Sequence, residues 1–291
     1  MIRLVTFKRL ALAAQLLLLP LATTTHAATS CDNSLSRSMP HRSSRADTGS
    51  DVMAQLMDLG GANRDAAVVR ELLAGNMPRH LRRLTPVAIN GTLPDGQSVQ
   101  VVICVTPDYL AVGSEADNVR VPMGLPAAAL VADRFGFLLP TTRMVDAIYA
   151  AAEVQLAPRP MEPGSQMVTT QYLLRHSATV DAMRASVARS PDALTAGQKK
   201  DLVLSPRLMS HRGKVAIYGW HRTNGRPIQP LSTVHVEQYA DYSHGIRLVS
   251  QTAFVNGQKQ PLSEILSNPQ LASLVSSEGT MDALGIQASL H

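Results

Sequence analysis

The chain has 291 residues, of which 45% are hydrophobic, 17% charged and 4% aromatic. This apolar content is sufficient for a hydrophobic core and excludes a chain that is disordered throughout. Only one long apolar run occurs, near the N-terminus, which excludes a polytopic membrane protein. The formal net charge is +5.

The N-terminal residues have the pattern of a secretory signal peptide. Arg3, Lys8 and Arg9 precede an apolar run over 10–21, and small residues follow up to Ala27. We predict cleavage after Ala27, so that residues 1–27 are the signal peptide and the protein is secreted or periplasmic. Cleavage removes three positive charges and leaves +2. Without a basic patch, nucleic-acid binding is not expected, and no membrane span remains. An uncleaved anchor is the alternative.

Two cysteines remain in the mature chain, Cys31 and Cys104. In an oxidising compartment such a pair tends to form a disulfide, and we predict that Cys31 bonds to Cys104. Three alternatives stay open: two free thiols, a nucleophilic Cys104, and a lipoprotein in which Cys31 carries a lipid.

The first half of the chain changes from helical to strand patterns. Residues 28–50 are rich in serine and arginine and predict a flexible arm. Pro94-Asp95-Gly96 lies between two runs rich in β-branched residues and predicts a hairpin within 88–106. The other expected elements are helices over 51–59, with Ser50 as the N-cap, and over 65–73, and strands over 109–112 and 119–121 that extend the sheet.

The second half combines helices with further strands. Helices are predicted over 126–135, 141–152 (with Thr141 as the N-cap), 172–189 and 261–279. Strands are predicted over 214–221, 228–236 and 245–255, with hairpin turns at 223–225 and 256–257. We therefore predict an α+β fold with a mainly antiparallel sheet and helices inserted between strand groups. A single domain over 51–291 is expected, and the proline-rich segment 157–164 is a candidate hinge.

Chemically versatile side chains are concentrated between residues 218 and 245. The candidate catalytic residues are His221, His235, Asp241, Ser243 and His244, and the candidate substrate-binding residues are Tyr218, Trp220 and Tyr242. Strand alternation places Tyr242 with His244 and Asp241 with Ser243. By contrast, Asp133, Asp146 and the Lys199–Lys200 pair are expected on solvated surfaces.

Four interpretations of this segment compete. His235 or His244 could transfer protons, with Asp241 orienting the imidazole. Ser243 could be a nucleophile, with His221 or His235 as its base. The histidines and Asp241 could hold zinc, although their spacing matches no compact zinc motif, and otherwise no cofactor is expected. Alternatively, these side chains only stabilise a bend in the backbone.

No nucleotide-binding, zinc-protease or calcium-loop motif is present. The leading hypothesis is an exported hydrolase-like enzyme that acts on a polymer of the envelope or surroundings, such as peptidoglycan or a polysaccharide. The first alternative is a non-catalytic binding module that stacks sugar rings on exposed tyrosine and tryptophan side chains, and the second is a structural envelope protein. The expected partner is a polymer or small-molecule ligand of the envelope.

Overall fold

A computed structural model describes Met1 and residues 31–187 and 190–291. The predicted signal peptide beyond Met1 and its cleavage site lie outside the described residues. Within these residues the α-helices are α1 (Gly49–Gln55), α2 (Gly61–Leu73), α3 (Leu125–Phe135), α4 (Thr142–Ala151), α5 (Thr170–Ala185), α6 (Arg207–Ser210), α7 (Leu262–Ser267), α8 (Ala272–Val275) and α9 (Ala283–Ala288). None of them is long and apolar enough to cross a membrane.

Thirteen strands occur in the described part of the chain, and most of their pairings are antiparallel. They are β1 (Thr85–Thr92), β2 (Ser98–Val105), β3 (Ala111–Gly113), β4 (Asn118–Arg120), β5 (Phe137–Leu138), β6 (Val154–Gln155), β7 (Thr195–Ala196), β8 (Lys200–Leu202), β9 (Ile217–His221), β10 (Pro227–Ser232), β11 (His244–Gly245), β12 (Val249–Val255) and β13 (Gln258–Pro261). This mixture confirms the predicted α+β class.

The larger sheet has the order β1-β2-β12-β13, and β5 also pairs with β12. Strand β1 alternates between buried and exposed residues, whereas β2 is buried from Val101 to Val105 because it lies between β1 and β12. The predicted hairpin at Pro94–Gly96 joins β1 to β2, with Thr92 opposite Ser98. Strands β3 and β4 form a separate pair, so the expectation that they extend this sheet was wrong.

The smaller sheet has the order β10-β9-β8-β11, and β11 runs parallel to β8. The predicted turn at 223–225 joins β9 to β10, where His221 lies opposite Pro227. The predicted strand over 245–255 is divided between the two sheets, because residues 246–248 separate β11 from β12. The strands of the smaller sheet carry four of the candidate site residues, namely Tyr218, Trp220, His221 and His244.

Helix boundaries follow local signals. The Thr141 hydroxyl accepts a hydrogen bond from the Met144 amide at 3.2 Å and caps α4, as predicted. In α1 the cap is Thr48 and not Ser50, since the Thr48 hydroxyl accepts from the Asp51 amide. Helix α3 begins with a proline in its first turn and ends at Gly136, which has a left-handed backbone.

The segment 31–48, called the strap here, is packed against the domain. The predicted disulfide between Cys31 and Cys104 is present and joins the strap to β2. Met39 is buried, the Ser36 hydroxyl donates to the Arg82 carbonyl at 2.8 Å, and Arg42 donates to the Asn76 side chain at 2.8 Å. The prediction of a flexible arm over 28–50 is therefore wrong for its described part. The composition of this segment favours disorder, but these contacts hold it against the rest of the protein.

Candidate functional site

The candidate residues form two separate groups. The first, called the His244 cluster, contains Tyr239, Asp241, Ser243 and His244, with His235 stacked at its edge. The second, called the Asp146 cleft, contains Tyr218 and His221 together with side chains of α4. The structure therefore brings Asp241, Ser243 and His244 together and places His221 elsewhere.

Within the His244 cluster, the Asp241 carboxylate is fully engaged by its neighbours. Its Oδ1 accepts hydrogen bonds from the Ser243 amide at 2.7 Å and hydroxyl at 2.5 Å, and its Oδ2 accepts from the Tyr239 hydroxyl at 3.1 Å. Burial alone would raise the pKa of Asp241, but His244 and the hydrogen bonds from Ser243 outweigh it and lower that pKa. This is an Asx-type turn that fixes the backbone before β11.

The His244 imidazole is 1% exposed, and neither ring nitrogen has a hydrogen-bond partner among the described residues. Burial lowers its pKa to about 4, so the ring is neutral at neutral pH. The predicted acid–base pair requires Asp241 to orient this ring through a hydrogen bond. No such hydrogen bond is present, because the Asp241 oxygens accept from Ser243 and Tyr239 instead.

Ser243 and His235 are not arranged as a nucleophile and its base. The Ser243 side chain is buried and its hydroxyl donates to Asp241. His235 is exposed and stacks on Tyr239, with ring centroids 4.2 Å apart. These side chains have the contacts expected of the structural interpretation, in which they stabilise a bend.

The aromatic side chains expected to stack sugar rings are mostly inside the protein. Trp220 is 6% exposed and Tyr242 is 2% exposed, and their ring centroids lie 6.4 Å apart. The Tyr242 hydroxyl also accepts a hydrogen bond from the amide of Met161, in the proline-rich segment predicted as a hinge. The predicted platform is therefore not an exposed row.

The Asp146 cleft is an open cavity of about 420 Å³ between α4 and the β9–β10 turn. It is lined by Asp146, Tyr149, Ala150, Gln155, Tyr218, His221, Thr223, Asn224, Gly225 and Pro227. Asp146 Oδ1 accepts hydrogen bonds from the Tyr218 hydroxyl and from His221 Nε2, both at 2.9 Å. Asp146 Oδ2 has no hydrogen-bond partner among the described residues.

The histidine in this cleft is held from two sides. Its ring stacks on Tyr149, with centroids 4.5 Å apart, and the Tyr149 hydroxyl donates to the Arg222 carbonyl at 2.7 Å. Because a carboxylate can only accept, His221 Nε2 must carry the proton in the contact with Asp146. The tautomer of a neutral His221 is thereby fixed, and one oxygen of the Asp146 carboxylate is left without a hydrogen-bond partner among the described residues.

An irregular backbone in β9 explains why Tyr218 and His221 meet. In a regular strand Tyr218 and Trp220 would share a face and His221 would point the other way. Here Gly219 and Trp220 both have positive φ, 104° and 56°, which changes the phase of the strand. As a result Tyr218 and His221 line the same cleft, while Trp220 packs with Tyr242.

A second carboxyl group, that of Asp201, lies beside β9. Asp201 Oδ2 accepts from the Tyr109 hydroxyl at 2.8 Å, and burial raises the pKa of Asp201 to about 6. A Cβ atom placed on Gly219 would lie 3.5 Å from both Asp201 Oδ2 and His221 Cε1, so both side chains lie against this glycine.

Sequence reasoning missed Asp146 and Lys199. Asp146 was expected on a solvated helix face, and it is indeed exposed, but its partners follow it by 72 and 75 residues. Lys199 was expected at the surface but is 1% exposed. Its Nζ donates to the Tyr242 carbonyl at 2.6 Å and lies 3.1 Å from His176 Nδ1, and burial lowers its pKa to about 7.

In the described ranges, no group of three or more histidine, cysteine, aspartate and glutamate side chains is placed to hold a metal ion. This finding gives no support to the zinc interpretation of His221, His235, His244 and Asp241.

Comparisons of this chain with protein-family models, with curated proteins and with solved structures gave no match.

Proposed function

We propose that this chain is an exported hydrolase-like enzyme that acts on a polar polymer of the envelope or surroundings, with Asp146 as its acid–base group. One observation supports the proposal: a carboxylate that lines an open cleft is held through one oxygen by Tyr218 and His221, and its other oxygen has no hydrogen-bond partner among the described residues. An oriented carboxylate of this kind can act as a general base.

The proposed chemistry uses the free oxygen of Asp146. A water molecule bound in the cleft gives a proton to Oδ2 while its oxygen attacks the substrate, and the carboxyl group then returns the proton to the leaving group. Tyr218 and His221 are positioning residues, because their hydrogen bonds fix Oδ1 and thereby aim Oδ2.

The composition of the lining favours an ester or amide bond in the polymer. Glycoside hydrolysis commonly needs two carboxyl groups that flank the scissile bond. Asp146 is the only carboxylate among the described residues that line the cleft. The side-chain amides of Gln155 and Asn224 lie in the same lining, and amide donors of this type can hold a carbonyl oxygen as it gains charge.

The location outside the cytoplasm is part of the proposal. The Cys31–Cys104 disulfide is typical of oxidising compartments, and it supports export by the predicted signal peptide.

The test compares the wild type with Asp146→Asn on peptidoglycan and on acetylated polysaccharides, with release of amines or acids as the readout. We expect Asp146→Asn to lower kcat by about 100-fold or more, with little change in KM. Asp58→Asn is the matched control, because Asp58 is exposed and has no hydrogen-bond partner among the described residues. Equal activity of Asp146→Asn and the control would contradict the proposed role.

A binding module without catalysis is the second candidate, and the single carboxylate in the cleft favours it. Asp146, Gln155 and Asn224 can hydrogen-bond to sugar hydroxyl groups beside the partly exposed Tyr218 ring. This candidate predicts that the wild type co-sediments with an insoluble polymer and releases no product. In that case Asp146→Asn and Tyr218→Ala should both reduce co-sedimentation.

A further inference from the structure

A second cavity, remote in sequence from the Asp146 cleft, is rich in arginine. It has a volume of about 490 Å³ and lies between the strap and the short 3-10 helix Arg79–Arg82. We call it the arginine cleft, defined by Arg37, His41, Arg79, Arg82 and Arg83. No carboxylate occurs among its described lining residues.

The arginines of this cleft differ in how far they are already engaged. Arg83 pairs with Asp192, and Arg82 donates to the carbonyls of Pro40 and Gly75. The side chains of Arg37, His41 and Arg79 are exposed and have no hydrogen-bond partner among the described residues. Two guanidinium groups and an imidazole are therefore available to a ligand.

The cleft is held in shape by contacts between its two walls. The Ser36 hydroxyl donates to the Arg82 carbonyl at 2.8 Å, and Arg82 Nε donates to the Pro40 carbonyl at 3.0 Å. The Glu115 carboxylate attracts the Arg82 guanidinium electrostatically. Its Oε1 lies 3.0 Å from His80 Nδ1, and this hydrogen bond holds it in place. The disulfide at Cys31 anchors the strap end of the wall. Little ordering of the walls is left for a ligand to bring about.

We propose that the arginine cleft binds the phosphate groups of a polyanion, as a function separate from the proposed hydrolysis. Guanidinium groups present paired N–H donors that match the oxygens of phosphate, and several of them in one cavity favour a ligand of high charge density over a single carboxylate. The remainder of the mature chain carries a charge close to neutral, so this binding depends on the local cluster and not on a general positive field.

The test titrates sodium pyrophosphate into the disulfide-bonded mature chain at low ionic strength, by calorimetry. The variant is Arg37→Gln combined with Arg79→Gln, and the matched control is Arg212→Gln, since Arg212 is exposed and lies outside the cleft. We expect the double variant to weaken binding by about tenfold or more, because it removes charge-assisted hydrogen bonds from two guanidinium groups to the phosphate oxygens. The control should bind as the wild type does.

Two further arms make the outcome decisive. Citrate, at the same pH, should bind more weakly than pyrophosphate, and equal binding would overturn the preference for phosphate. Vesicles with and without phosphatidate identify the source of the phosphate. If the wild type binds only phosphatidate vesicles, and the double variant does not bind them, the phosphate belongs to a lipid headgroup. If the wild type binds free pyrophosphate, the ligand is a soluble polyanion. The proposal fails if neither pyrophosphate nor phosphatidate vesicles bind. It also fails if the double variant and the Arg212→Gln control, both properly folded, bind these probes equally well.

Discussion

Replacing Cys31 with serine opens the disulfide while leaving Cys104 as a buried thiol in β2. Cys31 is only half-buried, so the serine hydroxyl can reach solvent. The contacts of the strap through Met39, Ser36 and Arg42 do not depend on the sulfur atoms and should persist in the folded state. The expected loss of stability therefore arises mainly in the unfolded chain.

The size of the effect follows from the loop that the disulfide closes. The two cysteines are 73 residues apart, and in the chain-entropy model such a loop restricts the unfolded state by about 4 kcal/mol. For a chain of this length the corresponding decrease in Tm is about 8 °C.

Urea unfolding followed by circular dichroism measures this loss. The wild type with reductant should match Cys31→Ser, and the variant itself should not respond to reductant. A loss below about 1 kcal/mol would refute the reasoning, because it would mean that the strap is already confined in the unfolded chain or that the bond strains the folded one.

Three more predictions concern buried charged or titratable groups. Burial lowers the pKa of Lys199 in the folded protein to about 7, from the ordinary value of 10.5. Between these pH values the unfolded chain binds more protons than the folded one, so the free energy of unfolding should rise from pH 7 to pH 9. Urea unfolding of Lys199→Met should not show this rise, and the same pH dependence in the variant and the wild type would contradict the prediction. Arg120→Met removes the guanidinium group that lies 2.6 Å from the buried Asp108 carboxylate and should lower the free energy of unfolding by about 3–5 kcal/mol. Arg83→Met breaks an exposed ion pair with Asp192 and should lower it by less than about 1 kcal/mol. Similar losses in chemical unfolding would show that burial does not determine the strength of these ion pairs. His244→Ala should lower the free energy of unfolding by about 3 kcal/mol, because it removes a buried side chain from its packing. The kcat for hydrolysis of the polymer should not change. A loss of kcat without a change in Tm would indicate that the active site is the His244 cluster.

Local signals in the sequence predicted much of the fold. The turns at 223–225 and 256–257 join antiparallel strands, and Thr141 caps α4. The disulfide was predicted from two cysteines that follow a candidate signal peptide. These features are governed by a few neighbouring residues, or by a pairing with only one candidate partner.

The site depends on information that is not local. Asp146 becomes distinctive only when Tyr218 and His221 are folded against it, and the period-2 pattern of a strand hides this contact because Gly219 and Trp220 change its phase. Lys199 and Lys200 resemble an ordinary charged pair, yet Lys199, which precedes β8, is buried, whereas Lys200 is half-buried. Tertiary packing, which the sequence pattern does not record, decided both cases.

Trp220 gives this chain an internal optical probe. It is the only tryptophan, and it belongs to the same strand as His221. Its ring centroid lies 5.0 Å from Lys200 Nζ and 6.4 Å from the Tyr242 ring centroid. Intrinsic fluorescence excited at the indole band therefore originates from one position, next to the irregular backbone that forms the Asp146 cleft. Quenching by solutes and shifts of the emission maximum will report on opening of the segment that contains Met161 and Met167, without any label.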